Sequence, residues 1–139
     1  MGQLHILRGV PPNINGKPVD LDRFYRLVDL WHTKGHQFGS WTRNRPRRQV
    51  ELRGGSVYFV HKKRTLFRMP LICIEPVRDF AHHVEEKYAN HVAFVCEATI
   101  IPVNPMTVKY LRGWRYLDSK DAPADTPEFD PIPDEESFL

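Results

Sequence analysis

The sequence predicts an α+β fold: a small, curled, mostly antiparallel sheet or barrel with one main helix and one short helix. Three segments predict it. Residues 21–34 carry apolar side chains at helical spacing. Residues 56–75 read as a hairpin rich in β-branched and aromatic residues around a basic tip. Residues 91–100 alternate between two faces at the period of a strand. The 139 residues, 41% hydrophobic and 12% aromatic, match one ordinary domain able to build a core without staples.

Taken in order, residues 3–10 form a first strand, with Leu4, Ile6 and Arg8 on one face and His5 and Leu7 on the other. A loop rich in Pro, Asn and Gly follows over 11–18. Asp20 is a good N-cap, and Leu21, Phe24, Tyr25, Leu27, Val28 and Trp31 fall within roughly 160° of helical arc. Gly35 suits the residue just past that helix. Residues 36–45 are polar and basic and read as a connection. Pro46 can open a short helix running through Leu52 to Gly54-Gly55.

Ser56 to Val60 then starts the hairpin, His61 to Arg64 forms its tip, and Thr65 to Glu75 returns. Pro70 predicts an edge position or a bulge in the return strand. Residues 79–88 allow one or two helical turns. The strand over 91–100 ends at Pro102 and Pro105, and Thr107 to Leu111 offers a further strand before Gly113-Trp114-Arg115-Tyr116-Leu117.

Charge divides the chain. Residues 1–117 hold 19 Lys and Arg against 9 Asp and Glu, whereas residues 118–139 hold one Lys against eight acids and four prolines. The domain is therefore placed at 1–117, with an acidic, Pro-rich tail at 118–139 that is extended or disordered. A basic body favours a polyanionic partner, and the tail can fold over it as an internal competitor. Cys73 and Cys96 match no zinc or redox spacing and read as buried free thiols. No targeting segment or membrane-length apolar run is visible, so a cytoplasmic location and no membrane partner are expected.

The candidate site is the stretch from Arg43 to Arg68. Arg43, Arg45, Arg47, Arg48, Arg53, Lys62, Lys63, Arg64 and Arg68 face a single acid, Glu51. Such cations bind phosphates by counterion release and by the fit of the guanidinium fork. Trp41 and Tyr58 are rings on which bases can stack. Trp114 and Arg115 either close the fold as a plug or line a base-binding pocket, and the structural role is preferred. Strand parity puts Arg68 with Pro70, Ile72 and Ile74; if that face points inward, Arg68 needs an anion, either Glu97 or a ligand. The seven histidines form no metal-ligand spacing, so neither a metal nor a cofactor is expected. No phosphate loop or nucleophile motif is present.

Thr42, Pro46, Arg48, Glu51-Leu52, Gly54-Gly55-Ser56, Tyr58, Val60, Arg68, Gly-Trp-Arg-Tyr-Leu and Asp121-Ala122-Pro123 resemble an uncharacterised alphaproteobacterial family of similar length, a domain of unknown function. The resemblance spans nearly the whole chain. Lys62-Lys63 departs from it, standing where Lys-Gly is usual. A more distant likeness is to the PUA-like superfamily (PUA, ASCH and EVE domains), in which a barrel and a helix enclose an RNA or modified-base site. That resemblance implies a PUA-like barrel and a nucleic-acid-binding module, RNA ahead of DNA. The alternatives are an ASCH-like enzyme acting on RNA or a nucleotide, with Tyr58, Lys63 or Glu97 as general acid or base, and a module that docks an acidic protein partner.

Overall fold

The computed structural model describes residues 2–14 and 16–127. Among them the elements run β1 (Leu4–Gly9), β2 (Asn13–Ile14), β3 (Lys17–Pro18), α1 (Leu21–Thr33), β4 (Gln37–Thr42), β5 (Ser56–His61), β6 (Arg64–Pro76), α2 (Val77–Phe80), β7 (Val92–Glu97), β8 (Ile101–Pro102) and β9 (Trp114–Asp118). Single 3-10 turns lie at Val50–Leu52 and Glu86–Tyr88. One sheet orders its strands β4-β7-β6-β5-β1-β9, with β8 beside β6, while β2 and β3 form a separate small ribbon. Every pair in the main sheet is antiparallel except β1 with β5. This is the α+β class that the sequence predicts.

Helix α1 begins where Asp20 accepts a hydrogen bond from the Arg23 amide at 2.7 Å. It ends at Thr33 with Lys34 as its C-cap, and the chain turns away at Gly35, whose φ of +73° is open to glycine without steric cost. The Gly35 amide donates to His32 O and the His36 amide to Trp31 O, so the last carbonyls are satisfied. Leu21, Phe24 and Val28 are buried. Phe24 stacks on Phe67 and meets Phe38 edge-on, which seats the helix against the concave side of the sheet. A second core, built on Leu7, Tyr58 and Val60, fills the other side and is covered by Val103, Val108 and Leu117.

Strand β6 makes the sheet curl. Its first half pairs with β5 and its second half with β7. Pro70, which has no amide to donate, sits at the hand-over, and the register shifts between Leu71 and Cys73. That is the bulge its proline predicts.

The curl brings the two edge strands toward each other without a ladder between them. Side chains bridge the gap instead. Arg8 of β1 donates through Nη2 to Trp41 O. Trp114 Nε1 donates to Asn44 O at 2.9 Å. The Tyr116 hydroxyl accepts from the Arg47 and Arg48 amides at 2.9 and 3.0 Å. The sheet is therefore not a closed barrel, which corrects the barrel form of the prediction.

Other corrections are local. Residues 37–42, expected to be a connection, form β4; its inward positions are Phe38, Ser40 and Thr42, so only one inward residue is apolar and the alternation is hidden. Pro46 opens no helix, and only the turn at Val50–Leu52 forms. Thr107 makes one isolated bridge, to Arg64, in place of a strand over 107–111. Cys96 is buried but Cys73 is exposed, because Cys73 lies at the bulge.

The expected domain limit at 117 falls within β9, and the segment after it is held to the body. The Asn104 amide donates to Ala124 O, and the Thr126 amide donates to Pro102 O. Residues 128–139, the rest of the acidic tail, lie outside the described residues.

Candidate functional site

A cleft of about 1220 Å³ opens beside the ends of β1, β4 and β5 and extends to α1. Its charged lining is Arg8, Lys62, Lys63, Lys87 and Lys109 against one acid among the described residues, Glu85. That acid lies 3.3 Å from Lys87 Nζ, so among the described residues the cleft lining holds more cations than acids. Such a wall attracts polyanions. Its aromatic lining includes Trp31, Trp41, Tyr88 and Tyr110. Trp41 meets Tyr88 edge-on with centroids 5.6 Å apart. Tyr110 is 69% exposed, so most of its ring is available to a ligand.

Lys62 and Lys63 reach the cleft because the β5–β6 hairpin turns in two residues, His61 pairing with Arg64. Both lysines have positive φ, 49° and 64°. This is the backbone of a type I′ turn, which favours Asn-Gly. Two side-chain-bearing residues in that conformation are held at a steric cost.

The sequence-predicted cations divide into separate groups. Lys62 and Lys63, with Trp41, line the cleft. Arg43, Arg45, Arg47 and Arg48 are exposed on the loop after β4. That loop adjoins the cleft, because Trp41 precedes it and Trp114, next to the cleft residue Gly113, holds Asn44. Arg48 is paired with Glu51 through two of its three guanidinium nitrogens, Nε, 3.0 Å from Oε1, and Nη2, which donates to Oε2. Arg115 is exposed and donates to Tyr110 O at 3.0 Å, so it braces the cleft rim. Arg53 is exposed at the opposite end of β5 from the lysines. Arg64 bridges to Thr107.

Arg68 has an internal partner. Its guanidinium grips Asp125 with two 2.8 Å hydrogen bonds and Ser56 Oγ with a third. The anion is thus supplied by the segment after β9, and Glu97 stands exposed at the end of β7. Tyr58 is buried in the second core, edge-on to His5, and burial pushes its hydroxyl pKa up. Trp114 is held by Asn44 and by edge contacts with Phe94 and Tyr116. The three general acid or base candidates, Tyr58, Lys63 and Glu97, do not meet: only Lys63 lines the cleft.

Arg8, Lys87, Lys109, Tyr88 and Tyr110 are cleft residues that the sequence reading did not single out. Arg8 carried a readable signal: a charge at the inward parity of a strand whose other inward residues are Leu4 and Ile6. The remaining four come from turns and irregular segments, where no periodicity marks direction.

The fold and cleft describe an α+β protein with a basic, aromatic-lined groove. The chain belongs to the family described as a protein of unknown function (DUF1489), whose sequence model matches residues 20–135. No curated protein and no solved structure matches the chain. Among the described residues no helix is long and apolar enough to cross a membrane, and no three His, Cys, Asp or Glu side chains gather as a metal site.

Proposed function

We propose that the protein is a nucleic-acid-binding module that takes a single strand, RNA ahead of DNA, in the cleft. The observation that carries this reading is the lining: five cations, one acid already beside a lysine, and the rings of Trp41, Tyr88 and Tyr110. Lysines and arginines bind the backbone through released counterions, and unpaired bases stack on aromatic faces. The volume, about 1220 Å³, exceeds the roughly 300–1,000 Å³ of ordinary small-ligand pockets, which favours a stretch of polymer over a single metabolite. The preference for RNA rests on the distant PUA-like resemblance, in which the ligand lies between barrel and helix. Trp31 of α1 lining the same cleft as Trp41 agrees with that placement. The exposed arginines of the 43–48 loop extend the positive surface beyond the mouth.

Fluorescence anisotropy with labelled single-stranded RNA and DNA of one sequence, read across a salt series, tests this. Three or four phosphate contacts give a slope of log K against log salt of about −2 to −3. The Lys62→Ala, Lys63→Ala and Lys109→Ala variants each remove about 0.7 from that slope. Absence of binding, or binding indifferent to salt, rejects the reading.

A further inference from the structure

Arg8 is an unusual cation. It lies on the face of β1 that carries Leu4 and Ile6 into the main core. Its guanidinium packs 5.8 Å from the centroid of the Phe94 ring, and Trp114, its cross-strand partner on β9, packs edge-on against the same ring. Nη2 is fixed by Trp41 O. Nη1 is buried and has no hydrogen-bond partner, the one such side-chain atom among the described residues. Burial alone moves the Arg8 pKa, downward; none of the described carboxylates offsets it. A buried guanidinium without an anion is a costly arrangement, and this one borders the positive cleft.

We infer that Arg8 forms an anion subsite in the floor of the cleft that receives a terminal phosphate monoester, so that the protein recognises the phosphorylated end of a strand. This rests on the cleft being the nucleic-acid site. An end suits the position better than the interior of a chain. Arg8 is hemmed in by Phe94, Trp114 and the β4 backbone, and a terminal group can enter such a recess where a strand continuing in both directions has to leave it again. A terminal monoester also carries roughly −1.5 to −2 charges, against the single charge of a phosphodiester. The planar guanidinium is held at Nη2 and leaves the buried Nη1 without a partner; a phosphate that displaces the surrounding side chains to reach it meets the fork geometry its oxygens accept.

The test compares four probes on the full chain: one single-stranded oligonucleotide with a 5′-phosphate, with a 3′-phosphate and with hydroxyls at both ends, and inorganic phosphate alone at matched ionic strength. One of the end-phosphorylated forms binds at least about tenfold more tightly than the hydroxyl-ended form, as a charge-assisted contact made at one site requires. In Arg8→Gln the ratio of end-phosphorylated to hydroxyl-ended affinity falls to about one, whatever the loss of one cleft cation costs both strands alike. If Arg8→Gln does not fold, Arg8→Lys, which keeps charge but loses the fork, shows a reduced advantage. Equal binding of all three oligonucleotides by the unmodified protein overturns the subsite and leaves the cleft reading standing. If no oligonucleotide binds, the cleft reading fails, and the melting temperature decides the subsite. A rise with inorganic phosphate that is lost in the folded Arg8 variant supports it; no rise overturns it.

Discussion

At the scale of single residues, the hairpin tip sets local stability against charge. Lys62 and Lys63 hold left-handed backbone at a position where asparagine and glycine carry less strain. Lys63→Gly removes a side chain from that conformation at some cost in unfolded-chain entropy. The expected outcome is a net gain of about 1 kcal/mol, read as a higher urea midpoint at unchanged m. The same variant loses a cation from the cleft, so its salt slope for single-stranded RNA becomes shallower by about 0.7. Gain in stability with loss of binding separates a turn kept for charge from a turn kept for shape. A stable variant that binds as before removes Lys63 from the interface. Gly55 is constrained differently: a Cβ there lies 2.4 Å from Leu4 O, so the approach of the β5 entry to β1 admits no side chain without backbone movement.

At the scale of elements, the segment after β9 acts as a strap. Asp125 bridges Val103 through its backbone and Arg68 through its carboxylate. The Arg68 hydrogen bonds hold the Asp125 carboxyl below the usual carboxylate range. A depressed folded pKa means that the pair contributes fully above the unfolded value, about 3.9, and is lost as pH falls through the folded one. Asp125→Asn is expected to lower stability at pH 7 by about 1 kcal/mol, a modest figure because the carboxylate is half exposed and screened. The gap between variant and parent narrows below about pH 4; urea titrations at pH 7 and pH 3 measure it, and a gap independent of pH rules out the ion pair as its cause. Legibility at this scale follows burial. Helix α1 shows its period because it buries one apolar face, and strand β7 is legible as an unbroken apolar run because both of its faces are buried. Strand β4 hides its period, since Ser40 and Thr42 take inward positions. Asp125 reads as tail because its composition is acidic and Pro-rich, and no local pattern announces a partner 57 residues away.

At the scale of the whole molecule, the sheet becomes a container through side chains that tie its edges. The cleft's cations stood out where they cluster in sequence, at Lys62 and Lys63, and Arg8 was marked only by its strand parity; Lys87 and Lys109 reach the cleft from two further segments. Their convergence depends on the curl of β6 and on the ties between β1, β9 and the loop after β4. Tyr116 is the tie that can be cut most cleanly. Its hydroxyl accepts from two consecutive amides, Arg47 and Arg48, and its ring packs on Trp114. Tyr116→Phe keeps the ring and removes the acceptor. The loop is exposed, so water can take over part of the bonding and the loss is about 1 kcal/mol. Hydrogen exchange at the Arg47 and Arg48 amides then speeds up about fivefold, the factor that corresponds to that energy, while the buried amides of α1 and β5 keep their protection relative to global unfolding. Unchanged exchange at the two arginines means that the loop is held by Pro46 and Trp114 without the hydroxyl, and that the edges of the sheet do not depend on Tyr116 for their closure.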